Sequence, residues 1–423
     1  MLERPKLFLN SKEFWVVVIL FFILFSIRLG LIYRDYNKFI VKPFYYTTVD
    51  LLQQYQKHKD GKTYTILRVY SPILDLNFFT TTYKADNLID KRVRLKLFPS
   101  KRIGFFDYLT TAYISSEINS ISPKANNLKS IILQDITEQH TQSIIIEFYQ
   151  AIFLAKPLSK KFRKQVSMLG ISHLIALSGF HLAILSGILF FLFQPLYRIV
   201  QQRYFPYRFD LIDVGFIVLF ILGWYVWFVD SPASLLRSYM MMVVGWIVVI
   251  MGIELVSFEF LITIIMILLL LIPKLFISLA FWFSISGVFY IFLLIKRFNN
   301  VNKIWMTLII SFGIFVLMLP LIHLIFPTVT TLQLYSPFLS LGFTLFYPLS
   351  IGLHILGMGG VLDNWLMELF RLSSKTIEIL LPWYYGIFYI LLSIGAIFSK
   401  WLFYLLFLIA TIFMSYIFMG FML

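Results

Sequence analysis

The sequence predicts a polytopic α-helical membrane protein of about ten transmembrane helices, with a small all-β, OB-like extracytoplasmic domain. Three observations predict it. Of the 423 residues, 60% are hydrophobic and only 13% charged, with mean hydropathy +0.84; an ordinary soluble chain carries about 25% charged residues. Apolar runs of roughly 20 residues, the length that crosses a hydrocarbon core, recur from residue 169 onward. Residues 36–139 interrupt that pattern with short β-type runs bounded by turn residues.

Residues 1–35 read as an N-terminal anchor, with an apolar run from Phe14 to Tyr33 and no small-residue cleavage site after it. In the 36–139 domain, strands are expected at Thr63–Tyr70, Phe78–Tyr83, Arg92–Phe98 and Ser130–Ile136. Arg92–Phe98 alternates strictly, with Val93, Leu95 and Leu97 on one face and Arg92, Arg94 and Lys96 on the other: a half-buried strand with a cationic outer face. Residues 140–168 read as an amphipathic interfacial helix, an apolar stripe (Ile145, Phe148, Ala151, Ile152) followed by Lys156, Lys160, Lys161, Arg163 and Lys164. Residues 169–423 form the membrane domain. Its spans are expected near 169–195, 211–229, 233–252, 259–272, 276–295, 304–325, 332–356, 383–398 and 401–421, with 361–380 interfacial or re-entrant.

Charge is concentrated outside the apolar runs. Residues 34–168 hold 21 Lys and Arg against 11 Asp and Glu, a net +10 of the chain's +15. Such a domain suits a polyanion or an anionic lipid surface. Short loops set the orientation. A cytoplasmic N-terminus puts eleven lysines and arginines, from Arg4 to Lys375, on the inner side, against Lys274 and Lys400 outside. The basic domain then lies outside.

Several chemistries are excluded or unsupported. Cysteine is absent, which removes disulfides and cysteine metal sites. Gly61-Lys62-Thr63 ends like a phosphate-binding loop, but Gln56 stands where the first glycine belongs. The six histidines show no metallohydrolase spacing. The residues therefore predict no catalytic group, metal or cofactor.

The informative stretch is Gly170–Ile184, an apolar segment that also carries Ser172, His173, Ser178, Gly179 and His181. His173, Leu177 and His181 recur every four residues, which puts both imidazoles on one face of a continuous helix. Ser178-Gly179 predicts a local irregularity between them. Polar groups at this depth face a bundle interior or a wet path; bracing against neighbouring helices is the structural alternative.

His173-Leu-Ile-Ala-Leu-Ser-Gly-Phe-His181 resembles the signature of the ComEC competence channel family, His-Leu-Leu-Ala-Ile-Ser-Gly-Leu-His. Three later stretches resemble family segments in order. They are Ser234-Leu-Leu-Arg237-Ser238-Tyr-Met240, Phe281-Trp-Phe-Ser284-Ile285 and Gln333-Leu-Tyr-Ser336-Pro337. In the second of these, this chain has Ala280 and Trp282 in place of the family's glycine and glutamine. Phe106-Asp107-Tyr108-Leu109 with Tyr113-Ile114 is similar to the end of the family's OB-like domain.

The resemblance implies an inner-membrane channel that passes single-stranded DNA into the cytoplasm during natural transformation. Many members carry a C-terminal metallo-β-lactamase-like domain. These 423 residues do not, and degradation of the other strand is expected of another protein. His173, Ser178, Gly179, His181, Ser234, Arg237 and Ser284 become the channel candidates. Lys91, Arg92, Arg94, Lys96, Lys101 and Arg102 are candidates for phosphate contact, and Tyr108 for base stacking. Arg237 has three uses open to it: meeting phosphates, pairing with Asp230, or snorkelling to the interface. Expected partners are single-stranded DNA, membrane lipid, a periplasmic DNA receptor, and a cytoplasmic motor or an ion gradient. The expected location is the bacterial cytoplasmic membrane.

Two alternatives belong to other classes. Ala176-Leu-Ser178-Gly179 superficially resembles the Gly-x-Ser-Gly of rhomboid proteases, which suggests an intramembrane serine hydrolase. Alanine replaces the first glycine, and His181 is only three residues from Ser178, whereas a nucleophile's base normally comes from another element. A transporter of another solute is the second alternative.

Overall fold

The computed structural model of the chain describes residues 7–8, 10–59, 62–83, 88, 91–123, 128–252, 257–372 and 374–420. Gly61 of the phosphate-loop look-alike lies outside them. The chain divides into two compact units. One comprises Phe8–Leu128 and Ile262–Phe281; the other comprises Met1–Leu7, Lys129–Leu261 and Trp282–Leu423.

In the first unit, helix α1 (Ser11–Val41) outruns the apolar anchor. Its last turns are amphipathic: Tyr36 and Phe39 are buried, and the Tyr36 hydroxyl donates to the Ile103 carbonyl at 2.7 Å. Strands β1 (Tyr45–Lys59), β2 (Lys62–Ser71), β3 (Leu76–Thr82) and β4 (Lys91–Phe98) follow. After them come helix α2 (Phe105–Leu109) and strands β5 (Ala112–Tyr113) and β6 (Ser115–Pro123). The sheet order is β5-β3-β2-β1-β4-β6. β5 and β6 are separated only by Ile114. That one run of chain therefore pairs parallel with β3 and antiparallel with β4, which joins the two ends of the order. Thr80 and Ser116 share a 2.7 Å hydroxyl contact across the join. The predicted alternation in β4 holds: Val93, Leu95 and Leu97 are fully buried, and Arg92 and Arg94 are exposed.

Sequence reading misses β1 and the β5–β6 run. β1 is rich in Gln and Lys, and β6 in Ser, so neither shows an apolar alternation. The strand expected at 130–136 is instead part of helix α3 (Leu128–Glu138). Its short apolar run is ambiguous by periodicity. Ile132, Leu133 and Ile136 lie at helical spacing and pack into a helical core.

The second unit is helical. The single helix expected over 140–168 is two, α4 (Ser143–Leu154) and α5 (Lys160–Met168), parted at Ala155 in the left-handed region. α4 is no interfacial helix: Ile145, Tyr149, Ile152 and Leu154 are all buried in the core. α5 keeps the amphipathic character, with Phe162 and Val166 buried and Lys160, Lys161, Arg163 and Lys164 exposed. The continuous span expected at 169–195 is also broken, into α6 (Ser172–Ile175) and α7 (Gly179–Tyr204). Then come α8 (Asp210–Phe228), α9 (Ala233–Ile250), α10 (Phe258–Leu271), which from Ile262 on belongs to the first unit, α11 (Leu279–Arg297), which belongs to the second from Trp282 on, and α12 (Lys303–Ile322). A short strand β7 (Thr328–Val329) and a 3₁₀ turn over Thr331–Tyr335 lead into α13 (Ser336–Ile355). α14 (Asp363–Arg371), β8 (Ile377–Glu378), α15 (Trp383–Phe398) and α16 (Lys400–Met419) complete the chain. β7 pairs antiparallel with β8.

Among the described residues, seven helices are long and apolar enough to cross a membrane: α1, α7, α8, α11, α12, the Thr331–Ile355 stretch and α16. Helices α4, α9, α10 and α15 are apolar but shorter. One core joins α4 to α9 with α13 and α14; a second joins α11, α12, α15 and α16. Ion pairs pin the α7–α8 hairpin: Arg198 to Asp210 and Arg208 to Asp213, both at 2.5 Å.

Candidate functional site

The break between α6 and α7 is the centre of the site. Gly170 enters it with φ +68, in the left-handed region that a side chain resists. After one turn of α6 the backbone extends through Ala176 to Ser178, whose φ and ψ are −142 and 179. An interrupted helix frees backbone polar groups, and in apolar surroundings each must find a partner. Here side chains from distant elements supply them. Ser234 Oγ of α9 donates to the Leu177 carbonyl at 2.7 Å. Ser336 Oγ of α13 donates to the Gly170 carbonyl at 3.1 Å. The Thr330 hydroxyl donates to the Met168 carbonyl.

His181 caps the start of α7. The Ser178 amide donates to His181 Nδ1 at 3.3 Å, and Ser178 Oγ lies 3.4 Å from the same nitrogen. Because Nδ1 accepts, the ring hydrogen sits on Nε2. That atom is buried without a hydrogen bond among the described residues. Phe343 and Tyr347 of α13 meet the ring edge-on at 5.2 and 4.9 Å. His173 is oriented differently. Its Nε2 contacts Ser340 Oγ at 3.2 Å, and Ser340 already donates to the Ser336 carbonyl at 2.8 Å. Ser340 therefore accepts from His173 Nε2–H.

The break overturns the expectation that the two histidines share one helix face: His173 is exposed and His181 fully buried. Gly179 lets α9 approach closely, since a Cβ there would lie 3.0 Å from Ser238 Oγ. Arg237, on the same helix between Ser234 and Ser238, is 5% exposed, which excludes snorkelling. Its expected partner Asp230 is held by Lys129 at 2.5 Å. Ser284, half-buried on α11, takes no part in these bonds. The open side of the segment presents Ser172, His173, Ala176, Phe180, Ala183 and Gly187.

In the β unit, Lys91, Arg92, Arg94, Lys101 and Arg102 are exposed and Lys96 is half-buried. Lys96 Nζ lies 4.8 Å from the Phe44 ring and 5.3 Å from the Phe98 ring; Arg94 lies 5.7 Å from the Tyr46 ring. Phe44 and Tyr46 are exposed and form a cationic and aromatic strip with β4. Sequence reading missed both, because β1 itself was not legible. Tyr108 instead packs against Tyr36 and Phe39, at 5.6 and 5.4 Å. Burial raises its phenol above the ordinary value, as befits a core position.

The fold and site define a polytopic helical membrane protein built around a broken, hydroxyl-braced segment. The chain belongs to the Competence protein family, whose family model matches residues 155–419. That membership points to DNA uptake in competence. No curated protein and no solved structure matches the chain.

Proposed function

We propose that this chain is an inner-membrane channel that passes single-stranded DNA into the cytoplasm during natural transformation. One observation carries the reading. The chain is unwound between α6 and α7, at 176–178 inside the helical unit, and the Leu177 and Gly170 carbonyls beside the two ends of α6 are capped by hydroxyls from α9 and α13. Unwound backbone at membrane depth is tolerated where it is buried in protein or lines a watery cavity. His173 and the small residues Ala176, Ala183 and Gly187 then form the wall that cargo passes, while His181, Ser178, Gly179 and Ser234 hold that wall in shape. Few fixed charges along the path suit a channel, which must bind weakly enough to release.

The β unit serves as an OB-like receptor on the outer side, its chain run at 112–123 closing the sheet as such barrels close. Arg94, Lys96, Phe44 and Tyr46 there take phosphates and bases. A periplasmic receptor delivers DNA, and a separate cytoplasmic motor or an ion gradient pulls it. The N-terminus is cytoplasmic. No step calls for catalysis by this chain. The Ser178–His181 contact of 3.4 Å favours the hydrolase alternative, but Nδ1 already accepts from the Ser178 amide.

Photo-crosslinking tests the channel reading. A benzoylphenylalanine at Phe180, on the open face, captures the incoming strand during transformation, while one at the buried Phe162 does not. Equal capture at both positions, or none at either, defeats the reading.

A further inference from the structure

Away from the break, three titratable side chains form a continuous chain of hydrogen bonds. Asp363, the first residue of α14, contacts His140 Nδ1 at 2.9 and 3.0 Å through its two oxygens. His140 Nε2 meets His354 Nε2 at 3.0 Å. His354 Nδ1 meets the Ser350 carbonyl at 2.6 Å. His140 is buried, and its ring stacks on Tyr149 at 4.6 Å and 11°. Tyr149 and Phe153 also meet the His354 ring edge-on, at 4.4 and 4.9 Å.

Counting hydrogens shows what the cluster holds. A carbonyl only accepts, so His354 Nδ1 carries a hydrogen. The contact between the two Nε2 atoms needs a second, and the contact between His140 Nδ1 and the carboxylate needs a third. Two neutral imidazoles bring only two. We propose that Asp363, His140 and His354 form a buried binding site for one proton, shared along the Asp363–His140 contact.

Loss of that proton leaves lone pairs facing each other across one of the three contacts, whichever tautomers the rings adopt. Unpaired buried polar groups are costly, so the bound proton fastens the elements that meet here. These are the turn after α3, the C-terminal end of α13 and the start of α14. Gln139 strengthens the junction, accepting from the Gly359 amide at 2.9 Å and donating to the His354 carbonyl at 3.2 Å. The other titratable groups facing the site are Asp135 of α3 and Tyr149 of α4. The Tyr149 hydroxyl makes no hydrogen bond among the described residues, so it supplies no alternative proton donor. The described residues contain no group of three side chains fit to hold a metal ion. Helix α13 is thus fastened by the proton site at one end and carries at the other Ser336 and Ser340, which bond to Gly170 and His173 of the broken segment.

The test uses the full chain, labelled with 15N-histidine, in lipid nanodiscs. Asp363→Asn is the informative variant, because its amide can donate to His140 Nδ1 and complete the chain of bonds without the extra proton. At pH 7.5 the wild type shows three exchange-protected downfield protons from this cluster, and Asp363→Asn shows two. His354→Gln is a second variant in case the first fails to fold: its amide can donate to His140 Nε2, so the chain of bonds again closes without the extra proton, and its stability between pH 7 and 9 loses the steep pH dependence of the wild type. A companion measurement follows unfolding between pH 7 and 9. The native state then holds one proton more than the unfolded chain, whose histidine (about 6.5) and aspartate are already deprotonated. Stability therefore falls as pH rises, and the unfolding constant of the wild type climbs up to tenfold more per pH unit than that of Asp363→Asn. Two protons in the wild-type spectrum, or parallel pH curves for the two folded proteins, overturn the proposal.

Discussion

Ser234 Oγ donates to the Leu177 carbonyl at 2.7 Å, joining α9 to the unwound turn between α6 and α7. The two residues are 57 positions apart, and the hydroxyl replaces the helical partner that the break removes. Ser234→Ala leaves that carbonyl unsatisfied. A loss of about 1–3 kcal/mol is expected, read as a lower unfolding midpoint in nanodiscs together with reduced transformation. Ser234→Thr restores both. A Ser234→Ala chain as stable and as active as the wild type removes this bond from the account.

Gly170 and Gly187 respond oppositely to the same substitution. Gly170 sits at φ +68, and a Cβ added there would lie 3.1 Å from Gln333 Cγ, so Gly170→Ala loses about 1–2 kcal/mol from the left-handed backbone alone. Gly187 lies within α7 with open space around its Cβ position, so Gly187→Ala gains roughly 0.5–1 kcal/mol of helix propensity. Thermal unfolding of the two variants side by side checks the sign of each.

The cationic and aromatic strip of the β unit separates two kinds of contact. Single-stranded DNA binding by the full chain in nanodiscs weakens steeply with salt. Arg94→Ala and Lys96→Ala each flatten that dependence by about 0.7 in the log–log slope. Phe44→Ala and Tyr46→Ala leave the slope intact and cost about 1–3 kcal/mol where the ring stacks on a base. Tyr108→Phe changes neither, because Tyr108 packs against Tyr36 and Phe39.

A fluorophosphonate probe separates the channel from a serine hydrolase. His181 Nδ1 accepts from the Ser178 amide, and Nε2 has no carboxylate partner among the described residues to orient it as a base. No labelling at Ser178 is expected. Labelling that disappears in Ser178→Ala establishes the hydrolase instead.

Much of this was legible in the sequence because it is periodic or locally conspicuous. Val93, Leu95 and Leu97 announce a one-sided strand, and Ser178-Gly179 announces an interruption in an apolar run. What was not legible depends on distance. The four-residue spacing of His173 and His181 means a shared face only if the helix continues, and the break gives them opposite environments. β1 is held by its neighbours β2 and β4 rather than by its own pattern. The Asp363–His140–His354 chain joins residues more than 200 positions apart, which no local spacing can signal.

The measurement that bears most directly on the central claim is transformation by a well-expressed His173→Ala, His181→Ala double variant in the native host. DNA arriving outside the inner membrane is scored separately from DNA reaching the cytoplasm. The channel account predicts normal arrival and loss of cytoplasmic entry. Normal entry in that variant contradicts it.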